Sequence, residues 1–195
     1  MPSISLQAWQ ESSRLKLNEI VEAHRALRGT GSGRRYATEH LSNAYAVLLS
    51  SHFQLFCRDL HSECAQHIVQ QLPTALQNVL RGELGNFRKL DRGNANSGNI
   101  DADFTRLGLR IWVRVNALDR RNEARRQLLD ELNKWRNAIA HQNFDPARFG
   151  SRTTLRLSQV EAWRRECNQL ARAFDEVTRA YLETLLGCQR QIEMS

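Results

Sequence analysis

The stretch Lys134-Trp135-Arg136-Asn137-Ala138-Ile139-Ala140-His141-Gln142 decides how the chain is organised. It closes an amphipathic helix that we predict to begin at Asp119, as its cap residue, and to end at about Gln142. Apolar residues recur along this helix every three or four positions and predict one buried stripe: Leu128, Leu129, Leu132, Trp135 and Ile139. The stretch therefore places polar side chains beside a helix face that must be covered by a partner.

Three of those polar side chains are Arg136, Asn137 and His141. On a straight helix Asn137 and His141 are one turn apart and about 40° from each other, whereas Arg136 and His141 are about 140° apart. Arg136 must therefore reach round the helix or act with a second copy of the chain. A structural role competes with this interpretation, because cations in a last helical turn also stabilise its carbonyl groups.

The chemistry of the three side chains suits the cleavage of RNA. A histidine side chain, with an ordinary pKa of about 6.5, accepts and donates protons near neutral pH, and arginine neutralises phosphate. The ribose 2′-OH supplies the nucleophile, so the reaction requires no metal and no other cofactor in principle. We assign acid–base catalysis to His141 and phosphate binding to Arg136. Asn137 then orients the His141 ring or binds the phosphate.

Composition indicates one domain over residues 1–195, since 195 residues with 41% hydrophobic content form a single sizeable core. No apolar run approaches the roughly 20 residues of a membrane span. The N-terminus lacks the basic and apolar regions of an export signal. We expect a cytoplasmic protein that makes no membrane contact.

The formal net charge is +7, and only three of the 28 basic residues are lysines. Arginine grips phosphate with two parallel hydrogen bonds, so this bias favours a nucleic-acid partner. A genome rich in G and C explains it equally well. On the motif helix we name Arg125, Arg126 and Lys134 as candidate RNA contacts, although arginines on a helix face are commonly just solvated.

The remaining pattern predicts an all-α bundle of about five to six helices, with two long antiparallel helices and a long C-terminal helix. The predicted helices cover about residues 5–28, 36–72, 74–91, 100–107 and 119–142, and the last begins at Ser158. We predict Thr74 and Asn99 as cap residues. Residues 109–118 alternate β-branched residues with arginine, so we expect extended or frayed structure there.

A metal site is a minor alternative at Cys57, His61 and Cys64, which share one helical face. The set lacks a fourth ligand, and the chain contains no CxxC pair, so we favour buried, reduced thiols.

Two segments resemble the RiboL-PSP branch of the HEPN superfamily (higher eukaryotes and prokaryotes nucleotide-binding). The first is Arg136-Asn137-Ala138-Ile139-Ala140-His141, which has the Arg, Asn and His spacing of that superfamily. The second is the asparagine-rich run from Asn96 to Leu109 ahead of the motif helix. The resemblance spans about residues 36–186, and we expect the N-terminal helix to pack on this core.

The resemblance implies a homodimer in which two motif helices face each other, and RNA products with 2′,3′-cyclic phosphate and 5′-OH ends. It also implies a toxin or effector of a bacterial toxin–antitoxin or phage-defence system, restrained by an antitoxin or regulatory partner protein. The chain departs from the pattern at Gln54, where relatives carry an acid near an aromatic residue. Asp59 either substitutes for that acid or, as we favour, pairs with an arginine.

A non-catalytic HEPN module that binds a nucleotide, RNA or a protein partner is the alternative. Gln54 supports it, and the complete Arg136, Asn137 and His141 set argues against it.

Overall fold

The computed structural model describes residues 1–27, 32–149 and 153–193, and these residues form helices joined by short turns, without a strand among them. The helices are α1 (Ile4–Ala8), a π-helical turn (Trp9–Ser13), α2 (Arg14–Ala26), α3 (Ser32–Gln70), α4 (Thr74–Gly85), α5 (Lys89–Arg92), α6 (Ser97–Arg106), α7 (Ile111–Leu118), α8 (Arg121–His141), α9 (Pro146–Phe149) and α10 (Leu157–Glu193). The all-α prediction is confirmed. The helix count exceeds five to six because short helices occupy several predicted connections.

Three long helices, α3, α8 and α10, contact one another and form the centre of the fold. Pairs of side chains give their directions: Arg125–Glu166 and Gln159–Glu131 join α8 to α10, and Tyr45–Arg164 and Phe53–Phe174 join α3 to α10. The α8–α10 pairs run in opposite order along the two helices, and the α3–α10 pairs run in the same order. The motif helix α8 is therefore antiparallel to α3, as predicted.

Aromatic side chains fill the core between these helices. Tyr45, Phe53, Phe104, Trp163 and Phe174 are all fully buried. Each such side chain stabilises the fold by roughly 1.5–3 kcal/mol relative to its exposed state. The site at the end of α8 is thus built on a rigid, well-packed support.

The N-terminal helix, formed by α1, the π-helical turn and α2, packs on α3 and α10. Trp9 is 3% exposed, and its ring meets Phe53 edge-on with centroids 5.5 Å apart. The Ser3 backbone N–H donates to the Asp175 carboxylate at 2.9 Å, and the Ser5 hydroxyl donates to Glu63 at 2.7 Å. Apolar and polar contacts together fix this helix to the core.

The prediction of extended structure over residues 109–118 is wrong, because Ile111–Leu118 forms α7. Ile111, Trp112 and Val115 are buried on one side of this helix, while Val113 is 62% exposed. Burial at helical spacing outweighs the modest preference of β-branched residues for strands.

Two predicted caps are displaced. The side chain of Asn96, not Asn99, caps α6 by accepting the backbone N–H of Asn99 at 2.8 Å. Thr74 is the first residue of α4, and Pro73 occupies the cap position without a side-chain hydrogen bond.

The start of the motif helix agrees with the prediction within two residues. The Asp119 carboxylate accepts the backbone N–H of Arg121 at 3.0 Å. Gln142, with φ of 49°, ends the helix in a left-handed conformation.

None of the helices among the described residues combines the length and apolar character that crossing a membrane requires.

Candidate functional site

A cleft of about 310 Å³ lies where α8 ends and the chain turns into α9. Its lining consists of Lys134, Asn137, Ala138, His141, Asn143, Asp145 and Phe149. An aromatic cluster shapes its wall: Trp135 meets Phe149 edge-on at 4.8 Å between centroids, and Phe144 lies 5.9 Å from Trp135. These rings hold α9 against α8. Trp135, a residue of the buried stripe of α8, therefore helps to form the cleft that the polar residues of α8 line.

His141 is the last residue of α8, and its side chain is exposed in the cleft. The left-handed residue Gln142 turns the chain away immediately afterwards. The backbone N–H of Asn143 then donates to the carbonyl of Ala138 at 3.0 Å, which closes the helix end. This termination leaves the imidazole open to a ligand while its backbone stays fixed.

Asn137 connects the motif to a distant loop. Its Oδ1 accepts hydrogen bonds from Nδ2 of Asn94 at 2.6 Å and from Nη1 of Arg136 at 3.2 Å. Arg136 therefore contacts the side chain of its neighbour Asn137, but it does not itself line the cleft that holds His141. Among the described residues Asn137 makes no hydrogen bond to the His141 ring, so the anticipated contact between the two is not formed here.

The segment that supplies Asn94 spans residues 93–99, which include the first residues of α6, and we call it the asparagine loop. From α8, Asn133 Nδ2 donates to the carbonyl of Ala95 at 3.0 Å, and the Asp130 carboxylate accepts the backbone N–H and hydroxyl of Ser97 at 2.8 and 2.6 Å. Asn99 Nδ2 donates to the Asn94 carbonyl at 2.8 Å. These hydrogen bonds fix the loop on α8. The position of Asn94 is therefore set by the loop as well as by its own contact with Asn137.

Gln54 braces the same loop from α3. Its Nε2 donates to the carbonyls of Leu90 and Gly93 at 2.6 and 2.9 Å. An ionised carboxylate at this position has no hydrogen to donate and would face both carbonyl oxygens. The departure from the family pattern at Gln54 is thus matched by the structure around it.

Asp59 is exposed on α3, and its electrostatic neighbours are Arg58, Arg88 and Glu63 rather than the motif residues. Partial burial raises the pKa of Asp59, and the two arginines offset part of that effect. Both arginines form their ion pairs with Asp91 instead, at 2.8 and 3.0 Å. The interpretation of Asp59 as the ion-pair partner of an arginine is therefore wrong.

The three candidate RNA contacts differ in availability. Arg125 bridges Asp119 and Glu166 at 2.9 and 3.3 Å, and its side chain is only 13% exposed. It braces α8 against α10, whereas we predicted a solvent-facing residue available to RNA. The Arg126 guanidinium lies 5.5 Å from the ring centroid of Trp112. Lys134 is exposed and lines the cleft.

Cys57, His61 and Cys64 are buried structural residues. The Nε2 of His61 donates to the carbonyl of Asp103 at 3.1 Å, and burial raises the pKa of Cys64 to about 12. In the described ranges, no cluster of three or more His, Cys, Asp or Glu side chains suits a metal ion.

Three residues that the motif does not identify lie at the site: Asn94 contacts Asn137, and Asn143 and Asp145 line the cleft. Asn94 comes just before the run that resembles the family, and this position is the signal in the sequence that points to it. Asn143 and Asp145 follow directly on the predicted end of the motif helix. Nothing in their spacing indicates that α9 folds back and places them in the cleft.

Comparison with known proteins identifies the family. The family model described as RiboL-PSP-HEPN matches residues 12–179. Neither the curated proteins nor the solved structures give a match. The matched range starts within the π-helical turn, earlier than residue 36, and it includes the asparagine loop and the Arg136 to His141 motif. Since the match covers most of the chain, the protein belongs to the RiboL-PSP-HEPN family.

Proposed function

We propose that this protein is a metal-independent endoribonuclease whose site comprises Arg136, Asn137 and His141. Family membership points more broadly to a nuclease, an RNA-related protein or a nucleotide-binding module. The observation that carries the narrower function is the hydrogen-bonded series Asn94–Asn137–Arg136 beside the exposed His141 in a 310 Å³ cleft. A guanidinium held by the braced Asn137 amide, on the same helix end as an open imidazole, suits the cleavage of a phosphodiester.

In the proposed reaction the His141 ring takes the proton of the ribose 2′-OH, and the 2′ oxygen attacks the adjacent phosphorus. The bond between phosphorus and the 5′ oxygen breaks, and the His141 imidazolium returns the proton to the leaving 5′ oxygen. The products are a 2′,3′-cyclic phosphate and a 5′-OH. Arg136 neutralises the charge that builds on the phosphate oxygens, an effect typically worth about 10²–10³ in rate.

A second copy of the chain completes the site, because the Arg136 of one copy and the His141 of the other can then face the same phosphate. Asn137, Ala140 and His141 are exposed on the open side of α8, and they form the surface through which we propose homodimerisation. Ala138 is only 4% exposed and packs inward, so it does not belong to this surface. We further propose that the enzyme acts in the cytoplasm as a toxin or defence effector, restrained by an antitoxin or regulatory partner protein.

Mixed dimers test both the residues and the assembly. Arg136→Ala and His141→Ala homodimers are each expected to lose RNA cleavage. Dimers formed from one copy of each variant retain one arginine and one histidine, so we expect partial recovery of cleavage. Arg120→Ala, an exposed change outside the cleft, serves as control. Cleavage retained by both homodimeric variants would reject the assignment, and failure of the mixture to recover would reject the shared site.

A non-catalytic HEPN module remains the second candidate because Gln54 replaces the acid of relatives and is committed to two backbone carbonyls. This candidate predicts that wild type and His141→Ala bind RNA, a nucleotide or a protein partner equally and that neither cleaves RNA. Any cleavage that depends on His141 excludes it.

A further inference from the structure

A second concave surface lies between helices that do not carry the Arg136 to His141 motif. It is a groove of about 650 Å³ between the N-terminal helix and α10, and it shares no lining residue with the cleft. Four arginines line it, and we call it the arginine groove: Arg14, Arg164, Arg165 and Arg172. Trp9 and Tyr45 contribute to its inner wall.

The charges of the arginine groove are not balanced by the protein. Glu161 is the one carboxylate in the lining, and it lies 3.5 Å from Arg25, which is outside the groove. Within the part of the chain that the structure describes, none of the four lining arginines forms an ion pair. Arginines that converge without carboxylates attract an anionic ligand.

One of these arginines is held in place by neutral groups. Arg164 donates to the Tyr45 hydroxyl and to the backbone carbonyl of Arg14, both at 3.2 Å. Burial raises the pKa of Tyr45, so its hydroxyl remains neutral and does not cancel the charge of Arg164. The guanidinium is therefore pre-oriented while its full charge faces the groove.

The other side of the groove is equally well defined. Trp9 begins the π-helical turn, and its indole N–H donates to the Asn168 side-chain oxygen at 3.0 Å. This bond ties the N-terminal helix to α10 across the groove. Single π-helical turns inside α-helices occur frequently at functional sites.

The spacing of the exposed arginines suits an extended ligand. Arg165 and Arg172 lie two turns apart on the same side of α10, about 10 Å along its axis. This separation exceeds the axial distance of about 3.4 Å between neighbouring phosphates of a duplex strand, so the two arginines reach phosphates that are not neighbours. The exposed pair can therefore contact two or more phosphates of one strand, which a single small anion does not require.

We propose that the arginine groove is a second RNA-binding site, which holds the phosphate backbone of a single strand outside the catalytic cleft. Arg164 provides a fixed contact, and the exposed Arg165 and Arg172 contact two phosphates that are separated along the strand. Because the groove shares no residue with the cleft, this binding does not depend on cleavage. The site holds RNA with no preference among bases, and the identity of that RNA as substrate rests on the proposed function.

The test measures RNA binding without cleavage, in the His141→Ala background and in the presence of chelator. Fluorescence anisotropy of a short labelled single-stranded RNA is recorded over a range of salt concentrations. The double change Arg165→Gln and Arg172→Gln is expected to weaken binding roughly tenfold at low salt. It should also reduce the slope of log affinity against log salt by about 1.4, since each lost phosphate contact on a single strand removes about 0.7.

A matched control removes the same charge elsewhere on α10 and its preceding turn. Arg156→Gln and Arg179→Gln alter two exposed arginines outside the groove. We expect this pair to leave the salt slope close to that of the parent protein. Equal losses from both double variants would overturn the proposal, because they would show a general charge effect. Melting curves establish that each variant is folded, and Arg172→Gln alone, with an expected slope change of about 0.7, repeats the test at one exposed position.

Tripolyphosphate, titrated by calorimetry, distinguishes the RNA backbone from a free polyphosphate. Arginine-dependent binding of tripolyphosphate with unchanged RNA affinity would overturn the proposal. Arginine-dependent RNA binding by a chain that cleaves nothing would instead reject the nuclease proposal and leave the arginine groove standing.

Discussion

Two histidines show how differently this fold uses one side chain. His61 on α3 is 0% exposed, its Nε2 donates to the Asp103 carbonyl at 3.1 Å, and its ring meets Phe104 edge-on at 5.5 Å between centroids. Burial, with the nearby Arg88, lowers the pKa of His61 to about 4. His141 is instead exposed in a cleft beside Lys134 and Asn137.

The difference indicates which histidine can do chemistry. The imidazole of His61 is enclosed by the core and is neutral at physiological pH, so it serves packing and one backbone contact. The ring of His141 is open to a ligand, while the helix end and the aromatic cluster fix its backbone. Both histidines lie on long helices, so their position in the sequence does not distinguish them. The exposure of the ring and the polar residues around it do.

Substitution of His141 should produce the largest effect on activity and almost none on stability. We expect His141→Ala to reduce RNA cleavage by about 10²–10⁴, the usual contribution of a general acid or base. His67→Ala, another exposed histidine on α3, is the matched control and should cleave RNA as wild type does. Initial rates on one RNA measure the effect. Comparable losses in both variants would remove the distinction between His141 and any other exposed histidine.

His61 should instead control how stability depends on pH. Its pKa of about 4 lies below the unfolded value of about 6.5, so between these values the unfolded chain binds more protons. The contribution is complete above about pH 6.5 and is lost as the pH falls to about 4. It amounts to roughly 3 kcal/mol, from about 1.4 kcal/mol for each pKa unit.

The readout is the difference in unfolding free energy between wild type and His61→Gln, measured by denaturant titration at about pH 7 and about pH 4. Because glutamine does not titrate, the advantage of wild type should shrink by the amount stated above. A difference that stays constant over this range would show that burial of the ring does not oppose its protonation.

Asn94 should have a smaller effect, on catalysis alone. It touches Asn137 rather than the reacting groups, so it acts as a positioning residue. We expect Asn94→Ala to lower kcat about tenfold with little change in KM. A displacement of a catalytic group by about 1 Å can lower the rate up to a hundredfold, and loss of one positioning contact should cost less. Asn86→Ala, an exposed change ahead of the asparagine loop, is the control. The double variant Asn94→Ala and Asn137→Ala should be no worse than Asn137→Ala alone, and simple additivity would contradict the coupling.

The spacing of apolar residues predicted the long helices, and six neighbouring residues revealed the motif. In both cases the residues that carry the information lie within a single helix. The buried stripe around Leu129, Leu132 and Trp135 follows from helical spacing alone. Local pattern failed where contacts distant in sequence decide the structure. The α7 helix is fixed by the packing of Ile111, Trp112 and Val115 against the core, and strand propensity could not reveal that.

The proposed site divides in the same way between local and distant signals. Arg136, Asn137 and His141 were readable from six residues, whereas the Asn94 partner lies 43 residues before Asn137. The departure at Gln54 is visible in the sequence, but its two hydrogen bonds to the loop carbonyls are not. Arg125 carried a charge that suggested RNA contact, but its partners on α8 and α10 place it in a structural bridge.

The most direct measurement is an analysis of the ends of RNA fragments that the wild-type protein produces in chelator. The mechanism at Arg136 and His141 predicts 2′,3′-cyclic phosphate and 5′-OH ends, and no cleavage of the same sequence with 2′-O-methyl groups throughout. Fragments with 5′-phosphate ends, or cleavage of the methylated strand, would contradict attack by the 2′-OH and with it the function proposed for this site.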